Sequence, residues 1–174
     1  MKKLFTLFAL TLVAAISINA SAQSLVGKWD AEAGGGQYAM IQSMGGEIEK
    51  VDNLWTFSSN NTYTTYSYIK AHTDVMGVTM YIEMEMTESG SWELINNALV
   101  ITANDHNVAK FSITFSDPSL NSAGDMAKSN LLDALNSAVG QSIVYDIEFK
   151  DNNTLELEYD NDVMPLSFTL TRIR

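Results

Sequence analysis

Hydrophobic and polar residues alternate with period two along much of the chain. In the clearest run, residues 78–87, the even positions are apolar and the odd positions are polar or tyrosine. Successive side chains of a β-strand point to opposite faces, so this run predicts a strand with one buried face. The same alternation recurs at 111–116, 143–149, 155–159 and 164–171. Shorter candidate strands lie at 25–30, 54–58, 63–69, 91–95 and 98–102.

Breaks rich in Asn and Asp separate these runs. They lie at Asn60-Asn61, Asn96-Asn97, 151–153 and 160–162. Both residue types tolerate the positive φ of tight turns, so neighbouring strands are expected to pair as hairpins. The sequence therefore predicts a mainly antiparallel, all-β domain.

One segment changes to helical spacing. From Asp125 to Val139, small and apolar residues recur every three or four positions, with Asp125 placed to cap the helix and Gly140 to end it. We expect an amphipathic helix here. A second, weaker helix is predicted over Tyr38 to Lys50.

The two ends of the strand region carry a family resemblance. Gly27-Lys28-Trp29 on the first candidate strand resembles the Gly-x-Trp opening of lipocalins and bacterial lipocalin-like domains. The last run, 167–173, resembles the closing strand of that family, in which an arginine packs over the first-strand tryptophan. Arg172 also continues the inward apolar series of its own strand, so the alternation independently points it towards the core.

The resemblance implies an up-and-down, calycin-type β-barrel of about eight to ten strands with one amphipathic helix. Gly27, Trp29 and Arg172 would close one end of that barrel. The family's function implies a small hydrophobic ligand inside it, and the alternation supplies the inward residues. The expected ligand-binding residues are Met80, Ile82, Met84, Phe111, Ile113, Tyr145 and Phe168. Methionine suits an adaptable pocket wall, and it equally suits ordinary core filling.

The first 22 residues have the order of a cleavable signal peptide. Lys2 and Lys3 precede an apolar run that ends before Ala20-Ser21-Ala22. The expected division is a leader at 1–22 and one barrel domain at 23–174, placed in the periplasm or outside the cell. The apolar run is too short for a retained membrane span, and a chain without cysteine offers no lipid-anchor cysteine.

The net charge limits the classes of molecule that are expected as binding partners. The full chain has a formal charge of −11, and loss of the two leader lysines makes it −13. Such acidity disfavours nucleic acid and anionic membrane surfaces as partners, although it is also an ordinary solubility feature.

Candidate catalytic chemistry is sparse. The chain has no cysteine and two histidines, His72 and His106, which we expect on loops at the surface. Pairs such as Glu83 and Glu85 fall on a polar strand face and are expected to be solvated. We therefore expect no enzyme activity, no cofactor and no metal site.

Three functions remain open. The first is a binding module for a small apolar ligand. The second is a structural or interaction protein with a filled core, whose partner is another envelope or extracellular protein. The third, least favoured, is a barrel enzyme that uses His72 or His106.

Overall fold

Eight antiparallel strands close into a single up-and-down barrel. The computed structural model describes residues 24–32, 45–75, 77–159 and 166–174. Each strand pairs with the next along the chain, and the first pairs with the last. The strands are β1 (Gly27–Ala31), β2 (Glu47–Phe57), β3 (Thr62–Val75), β4 (Val78–Ile95), β5 (Ala98–Phe115), β6 (Ser142–Phe149), β7 (Thr154–Tyr159) and β8 (Leu166–Arg172).

This architecture confirms the predicted fold class and strand number, and it is consistent with a calycin-type fold. Two pairs of strand candidates each form one continuous strand in the structure. The run at 91–95 belongs to β4, and the runs at 98–102 and 111–116 are the two ends of β5. The β4–β5 pairing shifts register twice, between Glu85 and Met86 and between Ser89 and Gly90. Such bulges interrupt the alternation without ending the strand.

Gly90 allows one of these irregular positions to pack closely. A Cβ atom at this residue would lie 2.0 Å from the carbonyl oxygen of Thr102 on β5. A larger residue would therefore force the two long strands apart, which explains a glycine inside a strand.

The predicted hairpin turns are present where the chain is described. Asn61 and Asn96 have φ values of 63° and 56°, in the left-handed region that asparagine tolerates. Asn61 lies between β2 and β3, and Asn96 lies between β4 and β5. The acidic break at 160–162 lies outside the described residues.

The helix α1 (Asn121–Ala138) follows β5 and packs against it. It begins earlier than predicted, so Asp125 is not its cap. Asp117 instead caps a short 3-10 turn, Pro118–Leu120, by accepting a hydrogen bond from the Ser119 backbone N–H. The helix ends just before Gly140, whose φ is 81°.

The second predicted helix is wrong where it can be compared with the structure. Residues 47–50 begin β2, which starts earlier than the candidate strand at 54–58. The earlier part of that candidate, residues 38–44, lies outside the described residues, as does the predicted leader at 1–22.

The barrel has two parts that differ in how completely the sheet is covered. In the closed half, strands from all sides surround a core whose largest fully buried side chains include Trp29, Phe57 and Tyr63. β6 pairs with β5 only along Ala98–Thr102, so β3, β4 and β5 continue beyond it. We call residues 69–75, 78–86 and 108–115 the β3–β5 extension. Its small core joins Ile69 and Ala71 to half-buried neighbours that include Met84.

Candidate functional site

A cavity of about 430 Å³ lies inside the barrel where the closed half meets the extension. Its size is in the lower part of the roughly 300–1,000 Å³ range of small-molecule sites. Most barrel strands and the end of α1 contribute to its wall. The lining residues are Asn53, Trp55, Tyr63, Thr65, Ser67, Glu88, Ile101, Ala103, His106, Ala138, Gln141, Ser142, Ile143, Tyr145, Tyr159 and Phe168.

One side of this cavity is aromatic. The Trp55 ring centroid lies 6.4 Å from that of Tyr145 and 6.1 Å from that of Phe168. Tyr145 also meets Phe168 edge-on at 6.2 Å and Tyr159 at 5.8 Å. These separations are typical of favourable ring pairs, so the four rings form one packed apolar wall.

The other side carries a polar cluster formed by Tyr63, Glu88 and His106. The Tyr63 hydroxyl donates a hydrogen bond of 2.5 Å to Glu88 Oε1. His106 Nδ1 lies 3.2 Å from the second carboxylate oxygen, Oε2, but is not aligned for a hydrogen bond. Within the described chain, neither ring nitrogen of His106 has a hydrogen-bond partner, and the side chain is only 6% exposed. Buried polar atoms are normally hydrogen-bonded, so these two nitrogens are exceptions to that rule within the described chain.

Burial changes the acidity of the cavity tyrosines. Loss of solvent, followed by the hydrogen bond to Glu88, raises the pKa of Tyr63 well above its ordinary value. Burial also raises the pKa of Tyr145 to about 12. Both phenols therefore stay protonated near neutral pH, so Tyr63 remains a donor to Glu88.

The strand register brings this cluster together. Glu88 lies directly opposite Thr65 on β3 and His106 on β5. A signal for Glu88 was present in the sequence, because it follows Met86 in the even-numbered, inward series of β4. His106 could not be placed in this way, since the sequence around it has no clear alternation.

The structure separates the seven predicted ligand-binding residues into two groups. Tyr145 and Phe168 line the cavity. The other five are not among its lining residues and are half-buried on the extension. Their side of the sheet is the one that carries Tyr63 and Thr65, because the β3–β4 pairing has no register shift. These five are Met80, Ile82, Met84, Phe111 and Ile113.

Both histidines lie on strands, so their predicted placement on loops is wrong. His72 is on β3 at the outer side, with its Nδ1 atom 3.3 Å from Glu49 Oε1. His106 is on β5 in the cavity wall and is not a surface residue. No group of three or more potential metal ligands occurs among the described His, Asp and Glu residues.

The polar outer face of the extension is more ordered than expected. Glu83 accepts hydrogen bonds from Tyr68 on β3, at 2.9 Å, and pairs with Lys110 on β5 at 2.7 Å. The hydrogen bond from Lys110, followed by that from Tyr68, lowers the pKa of the Glu83 carboxyl. Glu83 therefore bridges three strands.

Gly27, Trp29 and Arg172 lie together at the closed end of the barrel. The guanidinium carbon of Arg172 lies 4.1 Å from the centroid of the Trp29 ring, and the two residues are register partners between β1 and β8. Arg172 also donates to three backbone carbonyl oxygens: Val26 at 2.8 Å, Asn152 at 3.1 Å, and Ser24. A Cβ atom at Gly27 would lie 2.6 Å from the guanidinium, so glycine leaves the space that Arg172 occupies.

No described helix combines the length and apolar character needed to span a membrane. In comparisons with known proteins, the chain matches no family model and no curated protein sequence.

Proposed function

We propose that this chain is an exported, lipocalin-like protein that binds a small, mainly apolar molecule in its barrel. The observation that carries the proposal is the cavity of about 430 Å³ inside the barrel, bounded on one side by four aromatic rings. Closed barrels of eight strands can hold one small ligand when side chains leave the interior unfilled. Concave, aromatic-lined spaces with a few polar groups are the usual form of small-molecule sites.

The cavity favours binding over a purely structural role. A filled interaction barrel, the main alternative, would bring its inward residues into contact across this level, as they are in the core around Trp29 and Phe57. Here small side chains such as Ala103 and Ser67 face the space instead. Small residues at inward positions leave volume that a ligand can occupy.

The proposal is of binding without turnover. Besides tyrosines, the ionisable residues that line the cavity are Glu88 and His106, and Tyr63 already donates to Glu88. Export to the periplasm or beyond the cell is supported by the charged, apolar and small-residue order of the first 22 residues.

Thermal denaturation of the purified protein tests the binding proposal. A set of apolar compounds would be added, including 2-methoxynaphthalene, fatty acids and sterols. A ligand that binds only the folded state at ten times its Kd stabilises it by about 1.4 kcal/mol. For a chain of this size we expect Tm to rise by about 3 to 6 °C.

Ala103→Met provides a variant that occupies the cavity. We expect it to fold and to lose the ligand-induced Tm shift. Val100→Met lies on the opposite face of β5 and is the matched control, which should keep the shift. If no compound raises Tm in any of the three proteins, the binding proposal fails, and the filled interaction barrel becomes the working function.

A further inference from the structure

We propose that the cavity selects ligands whose polar end is a hydrogen-bond donor, uncharged or cationic, and that it rejects carboxylates. Glu88 and His106 would recognise this end, and the aromatic wall would contact the rest of the molecule. The ligand class is therefore alcohols, phenols and N–H heterocycles with a flat apolar body. This inference rests on the proposed function.

Glu88 provides the first argument. Its carboxylate has accepting capacity for about four hydrogen bonds, and Tyr63 uses one position on Oε1. The side chain is 25% exposed while it lines the cavity, so part of it is accessible to an entering molecule. An ionised carboxylate can only accept, and it therefore favours a donor.

His106 provides the second. Its Nδ1 atom faces Glu88 Oε2 at 3.2 Å, and an oxygen that only accepts favours the proton on Nδ1. With the single ring proton on Nδ1, Nε2 would carry a lone pair. Within the described chain this nitrogen has no hydrogen-bond partner and is shielded from solvent. A ligand O–H or N–H can satisfy it, so both polar side chains require the same type of group.

The charge of the wall provides the third. Among the described residues that line the cavity there is no lysine or arginine, and Glu88 is the acidic residue. A ligand carboxylate would enter beside Glu88 without a lysine or arginine in the described lining to offset the repulsion. Like charges at short range in a partly desolvated site disfavour binding strongly. Fatty acids are therefore expected to bind less well than the corresponding alcohols.

Three probes that share one ring system separate the effect of a hydrogen-bond donor from the effect of a negative charge. 2-Naphthol is a neutral donor at pH 7, 2-methoxynaphthalene has the same body without a donor, and 2-naphthoate carries a carboxylate. Isothermal titration calorimetry would give the Kd of each. We expect 2-naphthol to bind about tenfold or more tightly than 2-methoxynaphthalene, since a hydrogen bond to a charged acceptor is stronger than a neutral one. 2-Naphthoate should be the weakest.

Glu88→Gln removes the charge with little change in shape. We expect it to improve 2-naphthoate binding relative to 2-naphthol by about tenfold or more, because the like-charge repulsion is gone. Glu85→Gln is the matched control on the outer face of the same strand, and it should leave the order of the three probes unchanged.

Nitrogen NMR of His106 in the unaltered protein gives a readout that does not depend on any variant folding. Addition of 2-naphthol should shift the Nε2 resonance, whereas 2-methoxynaphthalene should leave it nearly unchanged. If the methoxy compound binds as tightly as the naphthol, or if the naphthoate binds best, the selectivity inference is overturned while the binding function stands. If none of the three binds, the selectivity inference fails, and the binding function is then decided by the thermal-denaturation series alone.

Discussion

The closed half of the barrel and the β3–β5 extension have the same alternation in their sequences and very different packing. Trp29, Leu157 and Leu170 in the closed half are completely buried. Met80 and Met84 on the extension occupy equivalent inward positions and are only half-buried. Strands enclose the first group from every side. In contrast, β6 pairs with β5 only as far as Thr102, and beyond it, among the described residues, α1 and the 3-10 turn before it pack on β5. The period-two alternation therefore predicts which face of a strand is apolar. The number of neighbouring strands determines how deeply the side chains on that face are buried.

The largest expected difference between the two parts concerns core truncation. Trp29→Ala should lower the free energy of unfolding by about 3 to 5 kcal/mol, because it removes a fully buried aromatic ring. Met84→Ala in the extension should cost only about 1 kcal/mol, since its side chain is partly exposed. Urea denaturation of the two variants measures both losses. Equal losses would show that the extension is as well packed as the closed half.

Alkaline pH should lower the stability of the protein through Tyr145, which lines the cavity where the two parts meet. The pKa of Tyr145 is about 12 in the folded protein and about 10 in an unfolded chain, because burial favours its neutral form. The folded state thus holds this proton more tightly. Its contribution to stability is complete below pH 10 and declines as pH rises towards 12, by up to about 3 kcal/mol.

Tyr145→Phe removes this contribution, so its stability should fall less steeply between pH 10 and 12 than that of the unaltered protein. Urea midpoints measured across that interval provide the comparison. Identical slopes for the two proteins would contradict a protonated, buried Tyr145.

The smallest expected difference concerns two turns with positive φ. Asn96 lies in a turn of the closed half and Gly77 lies at the tip of the extension, with φ values of 56° and 84°. Alanine at either position introduces about 1 kcal/mol of backbone strain. Asn96→Ala should lower global stability by that amount. Gly77→Ala should lower it less and should mainly speed amide exchange at the tip, because a partly covered hairpin can open locally. Hydrogen exchange and denaturation together distinguish these results.

Much of the fold could be predicted because each signal was local. Alternation at 78–87 and in the described part of the run at 164–171 identified strands, and Asn61 and Asn96 marked turns. The position of Arg172 in an inward series predicted its proximity to the core. Each of these features requires only a few neighbouring residues to read.

The candidate site was harder because it depends on long-range register. Counted from the β4–β5 hairpin, His106 meets Glu88 only after the register shift between Ser89 and Gly90, and this shift is not visible as a simple break in the sequence. Residues 103–110 lack alternation, so the long strand β5 was predicted as two short ones. The inward face of β4 was identified correctly, but its pattern did not show that the cavity lies near Glu88 while Met80 and Ile82 lie beyond it.

The pairing of β1 with β8 has a consequence for how the chain folds. The Arg172 guanidinium and the Val26 carbonyl that it contacts are 146 residues apart in sequence, so the final ring closure is among the most entropically demanding steps. The strands from β2 to β8 can pair in order of synthesis, whereas β1 gains its second neighbour only after Leu166–Arg172 has been made. Until then both ends of the sheet expose unpaired backbone, which is a template for association with other chains. The rate at which β8 reaches β1 therefore sets the time during which a nascent molecule is exposed to aggregation.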